Sequence, residues 1–304
     1  MSDDRRPMCA DRACAITGAG QGIGRAHAEA LVAEGARVVV NDVDADAAHA
    51  VVDALVGAGG DAVAHSEDVS TAAGATSLVA AAIERWGRVD AVVNNAGIAR
   101  DRMLVNLTEA DWDAVLAVHL KSTFLVTQQA AQHWRERTKA GEAPDAVAGR
   151  VVNTVSSVGL YGNIGQANYA AAKGAIASFT LVASMELARY GATVNALCPT
   201  ALTPMTEAVG LGESALARDR RLEPARVAPG LAWLVSEQSA GGTGRVIVAS
   251  GQRLAIAEGW HRGPTAAPVA DPHDVDAAIR PLLAAAAPNA DVQGDRPAPP
   301  AHGG

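Results

Sequence analysis

The chain has 304 residues, 49% of them hydrophobic and 19% charged, with a formal net charge of −8. That composition belongs to a globular protein with a full core, and the acidic balance argues against a nucleic-acid footprint. Three cysteines (Cys9, Cys14 and Cys198) without C-x-x-C spacing suggest neither zinc nor a disulfide framework. The polar start MSDDRRPMCADR lacks the apolar segment of a signal peptide, and no apolar run approaches the roughly 18 residues of a membrane span. The expectation is a soluble, cytoplasmic protein.

From residue 13 the chain alternates short apolar runs with helical patterns. ACAIT (13–17) reads as a strand, and RAHAEALVAEG (25–35) as the helix after it. Between them stands TGAGQGIG, with Gly18, Gly22 and Gly24 placed to let backbone turn tightly and approach a pyrophosphate at a helix N-terminus. The spacing is T-G-x-x-x-G-x-G, from Thr17 to Gly24. A G-x-G-x-x-G pattern fails, because position 23 is isoleucine.

A second strand, ARVVVND (36–42), ends in Asp42. A carboxylate there accepts the ribose hydroxyls of NAD and repels a 2′-phosphate, and Gln21 stands in the loop where an arginine would favour NADP. The competing reading is that Asp42 only caps the turn in NDVDAD, a job also open to Asp44 and Asp46. A third strand, 61–69, ends at Asp68 and Val69. Asp68 is either an adenine contact or a turn residue. The next helix ends near Arg85, and a fourth strand, RVDAVVNNAG (88–97), leads to a long helix from about 109 to 137.

A polar insertion, RERTKAGEAPDAVAG (135–149), precedes the fifth strand, GRVVNTVSS (149–157), which ends at Ser156. The helix that follows carries Tyr169 and Lys173 one turn apart among alanines, on one face. Free tyrosine titrates near ~10, and an ammonium one turn away stabilises its phenolate, which makes the pair a proton donor and acceptor for alcohol–ketone exchange. Ser156 is placed to donate a hydrogen bond to the same oxygen. A sixth strand, GATVNALCP (191–199), and a seventh, GRVIVAS (244–250), complete the pattern.

Near-continuous apolar strands separated by helices predict an α/β fold, a doubly wound, seven-stranded parallel sheet covered on both faces. One domain is expected over 1–262. An Ala/Pro-rich extension over 263–304 holds 8 of the 14 prolines. Within it, 271–287 reads as a helix with Asp271 as N-cap and Pro272 in the first turn.

Taken together, TGAGQGIG, NNAG (94–97), Ser156 and Tyr169 with Lys173 resemble the short-chain dehydrogenases/reductases, in order, from about residue 12 to 255. The resemblance implies a Rossmann-like fold, Tyr169 as general acid/base, Lys173 also on the nicotinamide ribose, and Ser156 polarising the substrate oxygen. It further implies cofactor contacts from Gly18, Gln21, Gly22, Ile23, Gly24, Asp42, Asp68, Val69, Asn95 and Thr203, no metal, and a homotetramer. Two departures stand out: Pro199-Thr200 replaces the family's Pro-Gly, and His119 replaces the asparagine that anchors a proton-relay water at a helix distortion. The V-H-L variant, the insertion and the ending EGWHRGP resemble the (3R)-hydroxyacyl-CoA dehydrogenase and 17β-hydroxysteroid dehydrogenase-like branch, of actinobacterial type.

That resemblance implies a lipid-like substrate. Independently, Met205, Leu211 and Leu216 supply apolar groups after the sixth strand. Arg218, Arg220 and Arg221 are placed either to meet CoA phosphates or to pair with Glu213, Asp219 and Glu223. Rival expectations are a 3-oxoacyl-thioester reductase or small-alcohol dehydrogenase of the same family, and a non-catalytic dinucleotide-sensing regulator. The retained tyrosine speaks against the regulator. A sugar-nucleotide epimerase would need T-G-x-x-G-x-x-G, which Thr17 to Gly24 does not match.

Overall fold

The computed structural model describes residues 6–144, 148–203 and 220–295. Its sheet runs β3-β2-β1-β4-β5-β6-β7-β8, where β1 is Ala13–Thr17, β2 Arg37–Asn41, β3 Asp61–His65, β4 Ala91–Asn94, β5 Arg150–Thr154, β6 Thr193–Thr200, β7 Val246–Ser250 and β8 Leu254–Ala257. The first seven are parallel, and the order reverses between β1 and β4, which opens a crevice at the strands' carboxyl ends. Every residue of β1 and β5 is buried, because helices cover both faces.

One face carries α1 (Gly22–Ala33), α2 (Ala45–Gly57) and α8 (Ala228–Val235), whose Leu31, Val51 and Leu231 pack on Ile16, Val38 and Val93. The other carries α3 (Ala72–Trp86), α4 (Glu109–Leu116), α5 (Ser122–Lys139) and α7 (Ala167–Leu187), with Leu78, Val126, Trp134 and Ala183 against Val39, Val92 and Val151. A five-residue helix, α6 (Ser157–Tyr161), lies between β5 and α7. In the tail, Asp271 caps a short turn that leads into α9 (Val275–Ala285), and its side chain accepts from His273 N as the sequence pattern implies.

One feature differs from the sequence expectation. The sheet has an eighth strand, antiparallel to β7 and joined to it by the tight turn at Gly251-Gln252. It is an edge strand of four residues, LAIA, with Leu254 and Ile256 exposed, too short to announce itself by periodicity. The long helix expected over 109–137 is present from Glu109 to Lys139, and Ala117–Lys121 forms a π-helical turn within it, where the family resemblance implied a distortion. Helix α7 continues through a short turn, and Ala167–Tyr190 is long and apolar enough to cross a membrane. Its buried Asn168, Lys173 and Thr180 instead pack it on the sheet as a core helix.

Buried polar side chains knit the sheet's carboxyl edge together. Asn94 Nδ2 donates to Asn153 Oδ1 (2.8 Å) and Thr127 Oγ1 (3.0 Å), and Asn153 Nδ2 donates to Thr180 Oγ1 (2.9 Å). Each bond satisfies groups that would be costly to bury alone. The network ties β4, β5, α5 and α7 into one block, and so fixes where β5 delivers the serine and where α7 holds the tyrosine.

Candidate active site

At the glycine loop, backbone packs against backbone. Gly18 (φ +62°) and Gly24 leave no room for a side chain: a Cβ on Gly18 would lie 2.8 Å from Ala96 Cα, and one on Gly24 only 2.1 Å from Gly18 O. The loop is braced from β4. Asn95 Nδ2 donates to the carbonyls of Thr17 and Gly18 (both 3.0 Å), and Thr17 Oγ1 accepts from Asn95 N (2.9 Å) and Ala96 N (3.0 Å). Asn95 therefore holds the loop as well as flanking it. Gln21 stands at the N-cap of α1 without a side-chain bond to the helix, so the first N–H groups are left to an anion. Ile23 packs into the core beneath.

Asp42 faces this loop. One carboxylate oxygen accepts from Gly20 N at 3.0 Å and the other from Asp44 N at 3.1 Å. These bonds show Asp42 bracing the turn, and each oxygen keeps a further lone pair for a donor. Capping of α2 itself falls to Asp44, which accepts from Ala47 N. Asp68 is exposed and engaged in its own turn, accepting from Ser70 N (2.8 Å) and Ser70 Oγ (2.9 Å), while Val69 is buried in the core. The Thr203 methyl lies 3.4 Å from where a Cβ on Gly22 would be, so the end of β6 closes on the loop from the far side. This cradle and carboxylate fit a dinucleotide. When bound, the nicotinamide of such a dinucleotide would supply the hydride chemistry, and the protein would supply position and protons.

Across the crevice, the amide carbonyl at the end of β5 holds α7. Lys173 is buried, and its Nζ donates to Thr154 O at 2.6 Å, 5.8 Å from the centre of the Tyr169 ring. Close packing sets this geometry: a Cβ on Gly159 would strike Lys173 Cβ at 2.5 Å, so α6 lies directly on α7. Ser156, two residues beyond Thr154, caps α6 by accepting from Val158 N at 3.2 Å.

Burial moves the two titrating groups in opposite directions. Desolvation pushes the Tyr169 phenol up to about 12, opposed by hydrogen bonding to the Ser156 hydroxyl. Desolvation likewise pulls the Lys173 ammonium down to about 7, against a smaller opposing effect of the nearby Cys198. The expectation that Lys173 lowers the tyrosine is thus reversed in the protein alone, where the loss of water around the phenol is the dominant effect.

His119 lies in the π-helical turn, buried, with its ring edge-on to Tyr169 and centroids 5.2 Å apart. Its Nε2 is 3.0 Å from Ile98 N and 2.8 Å from Ile98 O, and Nδ1 is buried without a partner among the described residues. Burial, helped by Lys173, holds the imidazole at about 3, so it is neutral at physiological pH rather than poised to gain a proton. The ring also explains the last residue of NNAG: a Cβ on Gly97 would sit 2.3 Å from His119 Cε1. Nothing in the sequence pairs Gly97 with His119, or Gly159 with Lys173, because each pair meets only in the fold.

Of the residues expected to shape the substrate side, Met205, Leu211, Glu213, Leu216, Arg218 and Asp219 lie outside the described residues. Arg220 forms an ion pair with Glu223, in line with the solvated-pair alternative for that arginine. No His/Cys/Asp/Glu group suited to a metal occurs among the described residues.

The family model for short chain dehydrogenases matches residues 12–213. Hydroxyacyl-CoA dehydrogenase ChsB1 of Mycobacterium tuberculosis is 44% identical over 253 residues, which cover 81% of this chain and 79% of that one. The peroxisomal multifunctional enzyme type 2 of Drosophila melanogaster is 38% identical over 245 residues, 78% of this chain and 38% of that larger protein. A short chain dehydrogenase from Mycobacterium avium, solved by crystallography, superposes with a TM-score of 0.85 at 42% identity, covering 93% of this chain and 98% of that one. With its glycine loop, its catalytic helix and these likenesses in register, the chain belongs to the short chain dehydrogenase family and is an oxidoreductase.

Proposed function

We propose that the enzyme uses NAD to interconvert a bulky hydrophobic secondary alcohol and its ketone, a (3R)-hydroxyacyl-CoA or a 17β-hydroxysteroid. The observation that carries the reading is the Ser156–Tyr169–Lys173 arrangement opposite the braced glycine loop, in a chain 44% identical to a hydroxyacyl-CoA dehydrogenase. The Tyr169 hydroxyl exchanges the proton of the alcohol oxygen, Ser156 donates a hydrogen bond to that oxygen, and Lys173 binds the ribose while linking the phenol to solvent. NADH absorbance across a panel of hydroxyacyl thioesters, steroids and small alcohols tests it. A tenfold preference for a small polar alcohol, about 1.4 kcal/mol in transition-state binding, would defeat the substrate assignment.

Tyr169→Phe removes one proton-transferring hydroxyl and little else, so turnover drops by at least roughly a hundredfold while NAD affinity is nearly kept. Activity above a few per cent of wild type refutes the role of Tyr169. Asp42→Ala removes the hydroxyl acceptor and the repulsion toward phosphate, and the expected outcome is a weaker affinity for NAD and a relaxed preference over NADP. An unchanged cofactor ratio in steady-state kinetics would leave Asp42 as a turn cap alone.

His119 acts here as a positioning residue: neutral, it sets the Tyr169 ring and the 97–98 backbone. His119→Asn is expected to cut kcat by roughly tenfold, leave the KM for NAD unchanged, and leave both limbs of the pH–rate profile in place, since a group near 3 does not titrate in the working range. A displaced acid limb would show instead that the imidazole carries a proton in the reaction.

A cytoplasmic homotetramer completes the proposal. An open groove along Leu116, Leu120 and Phe124 leaves α4 and α5 with an uncovered apolar strip, and Leu181, Val182 and Met185 are exposed on α7. Light scattering at micromolar concentration gives the mass of four chains if these faces pair, and of one chain if they do not.

A further inference from the structure

At the carboxyl ends of β2 and β3, three side chains outside the Ser156–Tyr169–Lys173 set form a continuous chain of hydrogen bonds. Asn41, 2% exposed, ends β2 opposite His65 at the end of β3. Its Nδ2 stands 3.0 Å from His65 Nδ1 and donates to Glu67 O at 3.0 Å, with His65 O farther off at 3.3 Å. On the other side of the imidazole, Nε2 is 2.9 Å from Ser77 Oγ on α3, and Ser77 donates onward to Gly74 O at 3.1 Å.

These partners fix every proton in the chain. An amide turned the other way would aim its oxygen at two carbonyl oxygens, so the Asn41 nitrogen is the atom that faces Glu67 and His65. A nitrogen that can only donate makes His65 Nδ1 the acceptor, and Nε2 therefore carries the hydrogen that goes to Ser77. Burial, opposed by Glu67, holds the imidazole below its ordinary value and so in this neutral form.

The chain joins the two carboxylates at the outer end of the crevice. Asn41 O accepts from Ala19 N in the glycine loop at 2.8 Å, and the next residue, Asp42, donates its own N–H to His65 O at 3.1 Å. Beyond Glu67, the turn that carries Asp68 rests on α3: Thr71 Oγ1 donates to Asp68 O at 2.8 Å, and a Cβ on Gly74 would strike that oxygen at 2.2 Å. The Asn41 amide thus ties the turn bearing Asp68 to the strand end bearing Asp42.

We propose that His65, acting through Asn41, is a positioning residue for the adenosine half of the dinucleotide: it fixes the amide that sets the Asp68 turn against Asp42. The inference rests on the dinucleotide reading of the crevice. With an acceptor at Nδ1, the plane of the Asn41 amide is held toward Glu67 O. Without it the amide is free to rotate, and the turn loses a tie to β2.

The test measures binding to the full chain by calorimetric titration, with NADH and with AMP, which carries the adenosine half alone. His65→Leu removes the acceptor at similar volume, and His65→Asn keeps a side-chain oxygen where Nδ1 stands; thermal melting confirms that each folds. Should the leucine variant not fold, His65→Gln takes its place, since its amide reaches the Ser77 side and leaves Asn41 without an acceptor. His65→Leu is expected to weaken AMP and NADH alike, by about five- to tenfold, the order of one net hydrogen bond, with His65→Asn within about twofold of wild type. AMP affinity within about twofold of wild type in His65→Leu overturns the proposal, as does an equal loss in His65→Asn. A loss confined to NADH also overturns it, because the effect would then lie on the nicotinamide side. A wild type that binds neither ligand defeats the dinucleotide reading and the inference with it, whereas wild-type binding that His65→Leu leaves unaltered defeats the inference alone.

Discussion

A lysine buried against the carboxyl end of a parallel strand is the constraint on which the site depends. Burying an ammonium is expensive unless it is bonded, and Lys173 meets that requirement with the short bond to Thr154 O. That bond brings α7 close to β5, and α6 can then lie on α7 at Lys173 because position 159 is glycine. It demands a fixed β5, which the Asn94–Asn153–Thr180 network provides. Once Thr154 is placed, Ser156 follows two residues later and Tyr169 stands one helical turn from Lys173, so the three groups of the proposed catalytic set share a single mechanical origin.

The same burial sets the chemistry's bias. With the phenol up at about 12, Tyr169 is protonated at neutral pH and ready to donate to a ketone oxygen. Alcohol oxidation needs the phenolate, whose population rises with pH toward that value. A bound oxidised nicotinamide would bring a positive charge into the crevice, which would favour the phenolate. The protein alone holds Tyr169 as a proton donor.

Much of this was legible because it is local. Strands buried on both faces read as apolar runs, glycines at 18, 22 and 24 mark a turn that a side chain would block, and Tyr169 and Lys173 are neighbours by helical spacing alone. What escaped is either short or non-local. Four residues of β8 at a sheet edge carry too little pattern, and the π-helical turn at His119 was legible through the family resemblance alone, since the period of AVHLK does not distinguish it from ordinary helix. Gly97 looks like loop filler until His119 arrives against it from a helix more than twenty residues on. The upward shift of Tyr169 was equally hidden, since sequence spacing gives the distance of a charge but not the water lost around it.

The tail shows how a segment of low complexity is held to a fold. Its helix α9 leaves Leu283 and Ile279 exposed, and no residue of the helix is buried, so apolar burial does little to hold the extension in place. What anchors Asp291–Asp295 is its own internal hydrogen bonding, the contact with Tyr161 and the exposed Arg253–Asp295 pair, worth at most about 1 kcal/mol. The β5–α7 block is held differently, by a short bond from a buried ammonium, buried amide bonds and a glycine contact that leaves no room for a side chain. Tail and block are therefore of unlike stability, and loss of the exposed Arg253–Asp295 pair leaves the bond between Lys173 and Thr154 O in place.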